Sequence, residues 1–560
     1  MPDLRPERVW SMGIGALFGL DAREWWLASA SAVLFFAALP PFHLVAPSLL
    51  ALVPLSVAVR RARTPRRAAR VGFVFGVLHY GLLLHWMIPA LARLTATAPL
   101  VYGTAVTLLA LSQALACWML ALLRRGGRVP FWFALPLVWT AVEWGIAHAP
   151  GTLAYPWLGL GTSLTGYPEL VGLAELAGAR GVTFWLALVN GLVAEAVVAG
   201  RASSAATGRP RTATRKGVSG RSRPRLARWL RGGIGPARPW LTAALVVAAV
   251  PTAWGMWRAR HLDLRPGPMV ATVRTTLRAQ PGEAVSDLEA LAAVDALLAA
   301  PAAEAPAPSL VVLPEGTFRD GLDQPEVVEG LRDLSRRLGA PVLFGLVRKE
   351  EAGAGRYNSA ALAGPAGLLG DPYDKRRLVP WVERIPLGAL FPVAAGESPL
   401  RAGAEWTVLE AGLHDVGALI CYEAAFAGAA RALRRAGAGV LLNITNDAWF
   451  ADAGAFAVAQ HEAHLVMRAI ETRTGVVRSA NLGPAGFVEP TGRVRARVQG
   501  PRAAVATARV DAVAGPTWYV RVGDVAGPGA AAALLLLLLF GRPRRPRPTG
   551  TMARAPETGH

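Results

Sequence analysis

The chain has 560 residues, of which 59 are Lys or Arg and 38 are Asp or Glu, so its formal net charge is +21. That charge would suit a nucleic-acid-binding protein, but hydrophobic residues make up 53% of the chain and charged residues only 17%. This combination is typical of a membrane protein that gathers its charges in a few loops. The two cysteines, Cys117 and Cys421, exclude a disulfide framework.

Eight apolar segments are predicted to span a membrane as helices. They are 24–40, 43–59, 71–90, 98–123, 131–148, 181–199, 240–258 and 526–540. Pro40-Pro41 separates the first two, which are short, and the last has 15 residues, at the lower limit for a span. We therefore expect a polytopic membrane domain over 1–258, and a C-terminal transmembrane helix with a basic tail over 520–560.

The placement of arginine predicts the orientation of these helices. Residues 60–70 carry six arginines, residues 200–239 carry eleven Lys or Arg and no acid, and residues 129–179 carry no Lys or Arg. The positive-inside rule places the basic segments in the cytoplasm and residues 259–519 outside. We interpret 200–239 as a cytoplasmic linker that contacts anionic lipid. Nucleic-acid binding is the less favoured alternative, because the run has a single aromatic residue, Trp229.

Residues 259–519 alternate short apolar runs with helical patterns, which predicts a separate α/β domain. The predicted strands are Met269–Arg274, Leu310–Leu313, Pro341–Val347, Val416–Cys421, Val440–Asn443 and Gly475–Ala480. The predicted helices are Val285–Ala300, Pro325–Leu338, Ala424–Ala436 and Ala455–Thr472. In such a domain, reactive side chains are expected at the carboxyl ends of strands.

Three segments of this domain carry residues that suit acyl-transfer chemistry: Glu315, Lys375 and Cys421. Each residue alone has an ordinary explanation, as a solvated carboxylate, a surface lysine or a small core residue, but the three together predict one site. Glu315 would take the thiol proton as general base, and Lys375 would keep Glu315 ionised and stabilise an oxyanion. Cys421, at the start of the predicted helix Ala424–Ala436, would form an acyl thioester.

The order Glu, Lys, Cys resembles the nitrilase, or carbon–nitrogen hydrolase, superfamily. With several N-terminal spans and one C-terminal span, the chain resembles the bacterial apolipoprotein N-acyltransferase family over nearly its whole length. The segments that carry the resemblance are Leu313-Pro314-Glu315, Lys375-Arg376-Arg377-Leu378-Val379-Pro380, Ile420-Cys421-Tyr422-Glu423, Asn446-Asp447-Ala448-Trp449-Phe450, Glu143-Trp144 and Tyr155-Pro156-Trp157-Leu158.

The resemblance implies a four-layer αββα sandwich held on the periplasmic side of the bacterial inner membrane. It implies a reaction in which a phospholipid gives its sn-1 acyl chain to Cys421. The thioester then acylates the N-terminal amine of a diacylglyceryl-cysteine lipoprotein. The implied partners are phospholipid, apolipoprotein and membrane lipid, with no nucleic acid and no cofactor.

The resemblance also implies supporting residues around the three catalytic candidates. Glu383 matches a second glutamate of the family, and Tyr422 and Glu423 match the residues that follow its nucleophile. Candidate substrate contacts are the aromatic residues Tyr155, Trp157, Trp381 and Trp449; for the first three, anchoring at the membrane interface is an equal alternative. The chain departs from the usual family sequence around Arg274, Trp381 and Asn481.

Two other readings of the sequence stay open. A membrane-tethered amidase of nitrilase type would use water as the acyl acceptor, and a non-catalytic membrane scaffold would carry a relic domain. The intact trio argues against the scaffold. We predict no metal site, because His461 and His464 are one residue too close for the spacing of a zinc helix. The carboxylates of Glu143 and Glu195 lie in or near predicted spans, where such groups are usually functional.

Overall fold

The computed structural model describes residues 19–92, 95–127, 129–207, 235–277, 285–299, 306–349, 355–384, 400–451 and 453–541. Most of the predicted basic linker 200–239 and nearly all of the predicted tail 541–560 lie outside the described residues.

The eight apolar segments predicted from the sequence all form helices, which together make up a helical region. Its helices are α1 Ala22–Ala38, α2 Val45–Leu50, α3 Val53–Arg61, α4 Pro65–Leu83, α5 Met87–Ala92, α6 Ala98–Arg125, α7 Phe131–Ala147, α8 Ala174–Thr207, α9 Arg238–Arg260 and, at the other end of the chain, α15 Ala526–Phe540. The single helix predicted over 43–59 is divided into α2 and α3. Pro54 lies in the first turn of α3, where a residue without an N–H ends the helix before it.

The outer faces of these helices are apolar and exposed. Among the described helices, α6, α8 over Ala174–Ala202 and α9 are long and apolar enough to cross a membrane, by length and composition, and α7 and α15 are shorter apolar helices. Leu245 on α9 is 69% exposed, and Phe540 on α15 is 73% exposed. Side chains of this kind are stable at a surface that faces lipid rather than water.

The second region is built on a curled, mixed β-sheet. Its main strands are β2 Met269–Thr275, β3 Leu310–Val312, β4 Val342–Lys349, β5 Arg356–Gly364, β8 Val408–Ala411, β9 His414–Ile420, β10 Val440–Asn446, β11 Val476–Asn481, β12 Ala485–Val488, β13 Val494–Val498 and β14 Ala504–Arg509. Shorter strands are β1 Leu264–Arg265, β6 Gly367–Leu368, β7 Tyr373–Asp374 and β15 Ala512–Val513. The strand order is β6-β5-β4-β3-β2-β11-β10-β9-β8, and the pairs from β4 through β9 are parallel.

Helices cover both outer faces of the curled sheet. They are α10 Asp287–Ala299 and α11 Pro325–Leu338 on one side, and α12 Ala427–Arg435 and α13 Ala455–Thr472 on the other, and a short helix α14 Trp518–Val522 leads into α15. Alternate residues of the strands face either these helices or a shared apolar core. Val270 and Val312 of one half lie in the same core as Ala418 and Ile444 of the other. The region is therefore a layered α/β/β/α sandwich, as the resemblance implied.

The helical region and the sandwich share one continuous apolar core. Residues of α13, such as Leu465 and Met467, belong to the same buried cluster as Trp157 and Val182 of the helical region. The sandwich therefore packs directly on the helices through α13.

Candidate active site

The three residues predicted to act together follow three strands, and the structure brings them to one place. Glu315 lies just after β3, Lys375 directly after β7, and Cys421 directly after β9. Nζ of Lys375 is 3.1 Å from Oε1 of Glu315, and the charges of both side chains act on the thiol of Cys421. The cluster therefore lies at the ends of β3, β7 and β9.

A second carboxylate, that of Glu383, shares Lys375 with Glu315. Nζ of Lys375 is 2.8 Å from Oε1 of Glu383, and the side-chain amide of Asn358 donates to Oε1 of each glutamate at 2.8 Å. The main-chain N–H of Val379 donates to Oε2 of Glu383 at 2.7 Å. Asn358 therefore holds two carboxylates against one buried ammonium.

Burial and the two carboxylates set the protonation states of the cluster. Burial alone would lower the pKa of Lys375, but the charges of Glu315 and Glu383 outweigh it and raise the pKa. Burial raises the pKa of the Cys421 thiol and Glu315 raises it further, against the charge of Lys375 and a hydrogen bond with Thr445. At neutral pH the cluster thus holds an ammonium and a protonated thiol, so attack by Cys421 requires transfer of its proton to a base.

Cys421 begins a 3₁₀ helix, Cys421–Ala425, which we name the cysteine turn. The sequence predicted an α-helix from Ala424, and this prediction was wrong, because α12 begins only at Ala427. Cys421 takes a left-handed conformation with φ of 50°, and the Glu423 carboxylate accepts from the N–H of Ile420 at 2.8 Å; together they close a tighter turn. The thiol is therefore not at an α-helix N-terminus.

Glu423 joins the cysteine turn to the segment that carries Lys375. Its fully buried carboxylate accepts from the hydroxyl of Tyr373 and the N–H of Arg376, each at 2.8 Å, as well as from Ile420. Burial raises the pKa of Glu423 to about 7, and these hydrogen bonds oppose the rise. The carboxylate therefore fixes the position of Lys375 relative to Cys421.

Tyr155 and Trp157, between α7 and α8, contact the sandwich beside the cysteine. The ring centroids of Tyr155 and Trp157 each lie 6.2 Å from that of Tyr422, and the hydroxyl of Tyr422 donates to the carbonyl of Ala154 at 3.3 Å. Trp157 is only 7% exposed. The structure places Trp157 between the two regions rather than at a lipid-facing surface.

Trp381 and Trp449 lie on segments that contact the cluster. Trp381, 36% exposed, has a left-handed φ of 67° in the turn that leads to Glu383. Trp449 is half-buried in a 3₁₀ helix, Asp447–Phe450, directly after Asn446. The N–H of Asn446 donates to Oε2 of Glu315 at 2.8 Å. Trp381 is thus near Glu383, and Trp449 is near Glu315.

Asn446 lies in a segment that carries the resemblance but was given no role of its own. Sequence reasoning also assigned no role in the cluster to three other polar residues that hold it: Asn358, Tyr373 and His461. No local signal marks Asn358, because Arg356 and Ser359 in the same strand are polar as well. His461 has no predicted role beyond the rejected zinc spacing, but its Nε2 lies 2.9 Å from the carbonyl oxygen of Cys421. Within the described ranges, no group of three or more His, Cys, Asp or Glu side chains could hold a metal ion.

The departures at Arg274 and Asn481 are built into the same network. The guanidinium of Arg274 donates to the carbonyls of Arg502 at 2.6 Å and Leu482 at 3.1 Å. The amide of Asn481 donates to Oδ1 of Asn446 at 3.1 Å. Asn481 therefore supports the segment that contacts Glu315, and Arg274 holds the residue after Asn481.

Family models match both regions of the chain. The apolipoprotein N-acyltransferase N-terminal domain matches residues 31–192, and the carbon-nitrogen hydrolase model matches residues 269–519. The fold, the cysteine-containing cluster and these matches define the class of the protein: an enzyme of carbon–nitrogen hydrolase type joined to a helical membrane region.

Curated relatives extend over almost the whole chain. The apolipoprotein N-acyltransferase of Ralstonia nicotianae is 30% identical, covering 89% of this chain and 89% of its own. That of Geobacter metallireducens is 29% identical, covering 93% of this chain and 96% of its own. The chain belongs to the apolipoprotein N-acyltransferase family. Among solved structures, Saccharomyces cerevisiae Nit3, a nitrilase-superfamily member, is 16% identical with a TM-score of 0.35, covering 50% of this chain and 98% of that one.

Proposed function

We propose that this protein transfers an acyl chain from a phospholipid, through a thioester on Cys421, to the N-terminal amine of a diacylglyceryl-cysteine lipoprotein. Membership of the apolipoprotein N-acyltransferase family supports the reaction. The observation that carries the residue roles is the buried cluster in which Glu315 and Glu383 share Lys375 beside the Cys421 thiol. Glu315 is the general base, Cys421 the nucleophile and Lys375 the oxyanion stabiliser.

In the first half-reaction, Sγ of Cys421 attacks the ester carbonyl of the donor lipid while its proton passes to Glu315. The bond from the carbonyl carbon to the glycerol oxygen then breaks, and Glu315 returns the proton to that oxygen. The products are an acyl thioester and a lysophospholipid. While Glu315 is protonated, Lys375 faces one carboxylate, Glu383, instead of two, so its ammonium is freer to stabilise the oxyanion.

In the second half-reaction, the lipoprotein amine attacks the thioester carbonyl and gives a proton to Glu315. The carbon–sulfur bond breaks, an amide forms, and the proton returns to Sγ of Cys421. Both half-reactions use the same base and the same catalytic cysteine. Because the pKa of the Cys421 thiol is raised, the protonated thiol is the resting state between turnovers.

The proposed location is the bacterial inner membrane, with the sandwich on the periplasmic side. The sandwich contacts Trp86 after α4 and Trp157 before α8, and residues 129–179, which include Trp157, carry no Lys or Arg. The six arginines of 60–70 lie at the opposite end of α4, where α3 ends and α4 begins. The positive-inside rule then puts the sandwich outside. There it meets lipid substrates without exposing their chains, which would cost about 0.8 kcal/mol per CH₂.

The test is intact mass spectrometry of the detergent-purified protein incubated with phosphatidylethanolamine, followed by a diacylglyceryl lipopeptide. We expect a mass gain of one acyl chain in the wild type and in Cys117→Ala, since Cys117 is buried within α6, but none in Cys421→Ala. The lipopeptide should discharge the adduct and gain the same mass.

Other outcomes would contradict the proposal in distinct ways. An adduct that water discharges as fast as the lipopeptide does would indicate an amidase-type hydrolase. Absence of an adduct with any phospholipid, in a protein that thermal unfolding shows to be folded, would favour the non-catalytic scaffold.

A further inference from the structure

Six polar side chains of helix α13 are buried to 2% exposure or less, and four of them link the helix to its neighbours: Gln460, His461, Arg468 and Glu471. Burial of such groups is costly unless each is hydrogen-bonded or paired. Two of them contact the cysteine turn, and two contact the helical region. The helix therefore contacts both the segment of the reactive cysteine and the membrane helices through buried polar side chains.

On one side, His461 and Arg468 hold the two ends of the cysteine turn. Nε2 of His461 lies 2.9 Å from the carbonyl oxygen of Cys421, and Nη1 of Arg468 donates to the carbonyls of Ala424 and Ala425 at 3.3 Å. His461 and Arg468 are two helical turns apart, so they lie on one face of α13.

The role of Nε2 of His461 follows from its partner. A carbonyl oxygen can only accept, so Nε2 carries the hydrogen that is donated to Cys421. Nδ1 of His461 faces Nη1 of Arg478 at 3.4 Å and Oδ1 of Asp447 at 3.8 Å. The bond from Nε2 to Cys421 restrains a residue whose left-handed φ of 50° is unfavourable for a side chain with a Cβ.

On the adjacent face of α13, Gln460 is hydrogen-bonded to the helical region. Its Oε1 accepts from Nε1 of Trp86 at 3.0 Å and from Nε1 of Trp157 at 2.7 Å. Its Nε2 donates to the carbonyl of Leu83 at 3.1 Å. Gln460 therefore uses both ends of its amide on the helices, immediately beside His461.

Glu471 makes the second connection. Its Oε1 accepts from the N–H of Ala179 at 2.8 Å, where α8 is kinked by the positive φ of Gly178. Its Oε2 lies 2.7 Å from Nε of Arg468. A continuous polar path therefore runs from the main chain of α8, through Glu471 and Arg468, to the carbonyls of the cysteine turn.

We propose that α13 couples the docking of the helical region to the geometry of the nucleophile. His461 and Arg468 are positioning residues for Cys421, and Gln460 and Glu471 set the position of α13 against the membrane helices. This inference rests on the proposed role of Cys421. It predicts that a change at a residue bonded to the helical region, such as Gln460 or Trp86, alters the reactivity of the thiol, although neither side chain is bonded to Cys421.

The experiment measures two rates in a Cys117→Ala background, so that Cys421 is the only thiol. Alkylation by iodoacetamide reports the geometry of the turn without any lipid, and acyl-enzyme formation from phosphatidylethanolamine reports the first half-reaction. The variants are His461→Leu, His461→Gln, Gln460→Met and Trp86→Phe. The matched control is Glu462→Gln, whose carboxylate pairs with Arg497 at 2.9 Å on the outer side of the same helix.

We expect His461→Leu and Gln460→Met to slow both rates by about 10- to 100-fold, the effect of a small displacement of a reacting group. The donor concentration for half-maximal acylation should not change. His461→Gln keeps a donor at the position of Nε2 and should recover most of the rate. Glu462→Gln should match the parent. Trp86→Phe, which removes one hydrogen bond to Gln460 and keeps the aromatic packing, should give a smaller loss in a protein that still folds.

Two kinds of result would contradict the coupling of α13 to the cysteine turn. Parental rates in both Gln460→Met and Trp86→Phe would show that the helical region does not influence the cysteine turn. A parental rate in His461→Leu, or no recovery in His461→Gln, would overturn the role of His461. If the parent is alkylated but never acylated by lipid, the proposed function fails, while the alkylation series still decides the coupling.

Discussion

Buried carboxylates have different ionic partners in the helical region and around the cysteine of the sandwich. In the helical region, each of three carboxylates faces an arginine of a neighbouring segment. Glu24 pairs with Arg67 at 2.8 Å, Glu143 with Arg180 at 3.1 Å, and Glu195 with Arg60 at 2.6 Å. An arginine thus neutralises each of these carboxylates where it is removed from water.

In the sandwich, the charges around Cys421 are not matched. One ammonium, that of Lys375, lies between Glu315 and Glu383. Among the described residues, Glu423 has no ion pair, and a hydroxyl and main-chain N–H groups stabilise it instead. A cluster with more carboxylates than cations has a carboxylate that can accept the proton of a neighbouring thiol. A carboxylate neutralised by its own arginine is a poor proton acceptor. The comparison thus separates charges that stabilise the fold from charges that do chemistry.

The largest effect is expected at Glu315. Glu315→Gln removes the proposed base, and the rate of acyl-enzyme formation should fall by about 10⁴-fold. The free energy of unfolding should hardly fall, because Lys375 keeps Glu383 and active sites are built at some cost in stability. The measurement is acylation by intact mass beside thermal unfolding.

The same variant has a signature in pH. The charge of Glu315 raises the pKa of the Cys421 thiol, next after burial, so its removal should lower that pKa. The rate of iodoacetamide labelling of Cys421 should then rise at a lower pH in Glu315→Gln than in the wild type. An unchanged or upward-shifted profile would show that the carboxylate does not face the thiol.

Local sequence patterns predicted those elements of the sandwich that depend on few contacts with distant parts of the chain. The helix predicted at Ala455–Thr472 is confirmed at the same bounds, since its apolar face follows from its own spacing. The strand Arg356–Gly364 was missed, because it contains Asn358, Ser359 and Gly364 and is held by pairing with β4. Strand propensity is weak compared with such pairing.

The candidate site shows the same limit. Glu315 was predictable because it follows a predicted apolar strand, Cys421 because it ends one, and Lys375 because it completes the order Glu, Lys, Cys. The contact of Asn446 with Glu315 was not predictable, because it depends on the sheet order. β10 is separated from β3 by β2 and β11, and that order brings a main-chain N–H beside a carboxylate 131 residues away.

A smaller effect, on stability rather than on chemistry, is expected at Glu143. Its Oε1 accepts from Trp139 at 3.1 Å and from the N–H of Leu160 at 2.8 Å, and its Oε2 accepts from Arg180 and Thr183. Glu143→Leu leaves four donors without an acceptor, one of them charged. Removing one partner of a buried ion pair costs about 3–5 kcal/mol.

This prediction is checked by titrating the detergent-purified protein with a denaturing detergent. Glu143→Gln, which keeps an acceptor oxygen, is the matched control and should lose less stability. The folded fraction of Glu143→Leu should still form the acyl-enzyme. A variant of normal stability that is inactive would reverse the comparison, since it would place Glu143 in the chemistry.

The smallest effect is expected at Glu195, and it tests whether pairing or burial sets the cost. Among the described residues, its carboxylate has one hydrogen-bond partner, Arg60, and both side chains are partly exposed, at 15% and 22%. After Glu195→Gln, the guanidinium of Arg60 still lies 5.1 Å from the ring of Phe131 and reaches solvent. The free energy of unfolding should therefore fall by about 1 kcal/mol or less. A loss as large as that of Glu143→Leu would mean that pairing alone, rather than the number of buried donors left without a partner, determines the stability of the helical region.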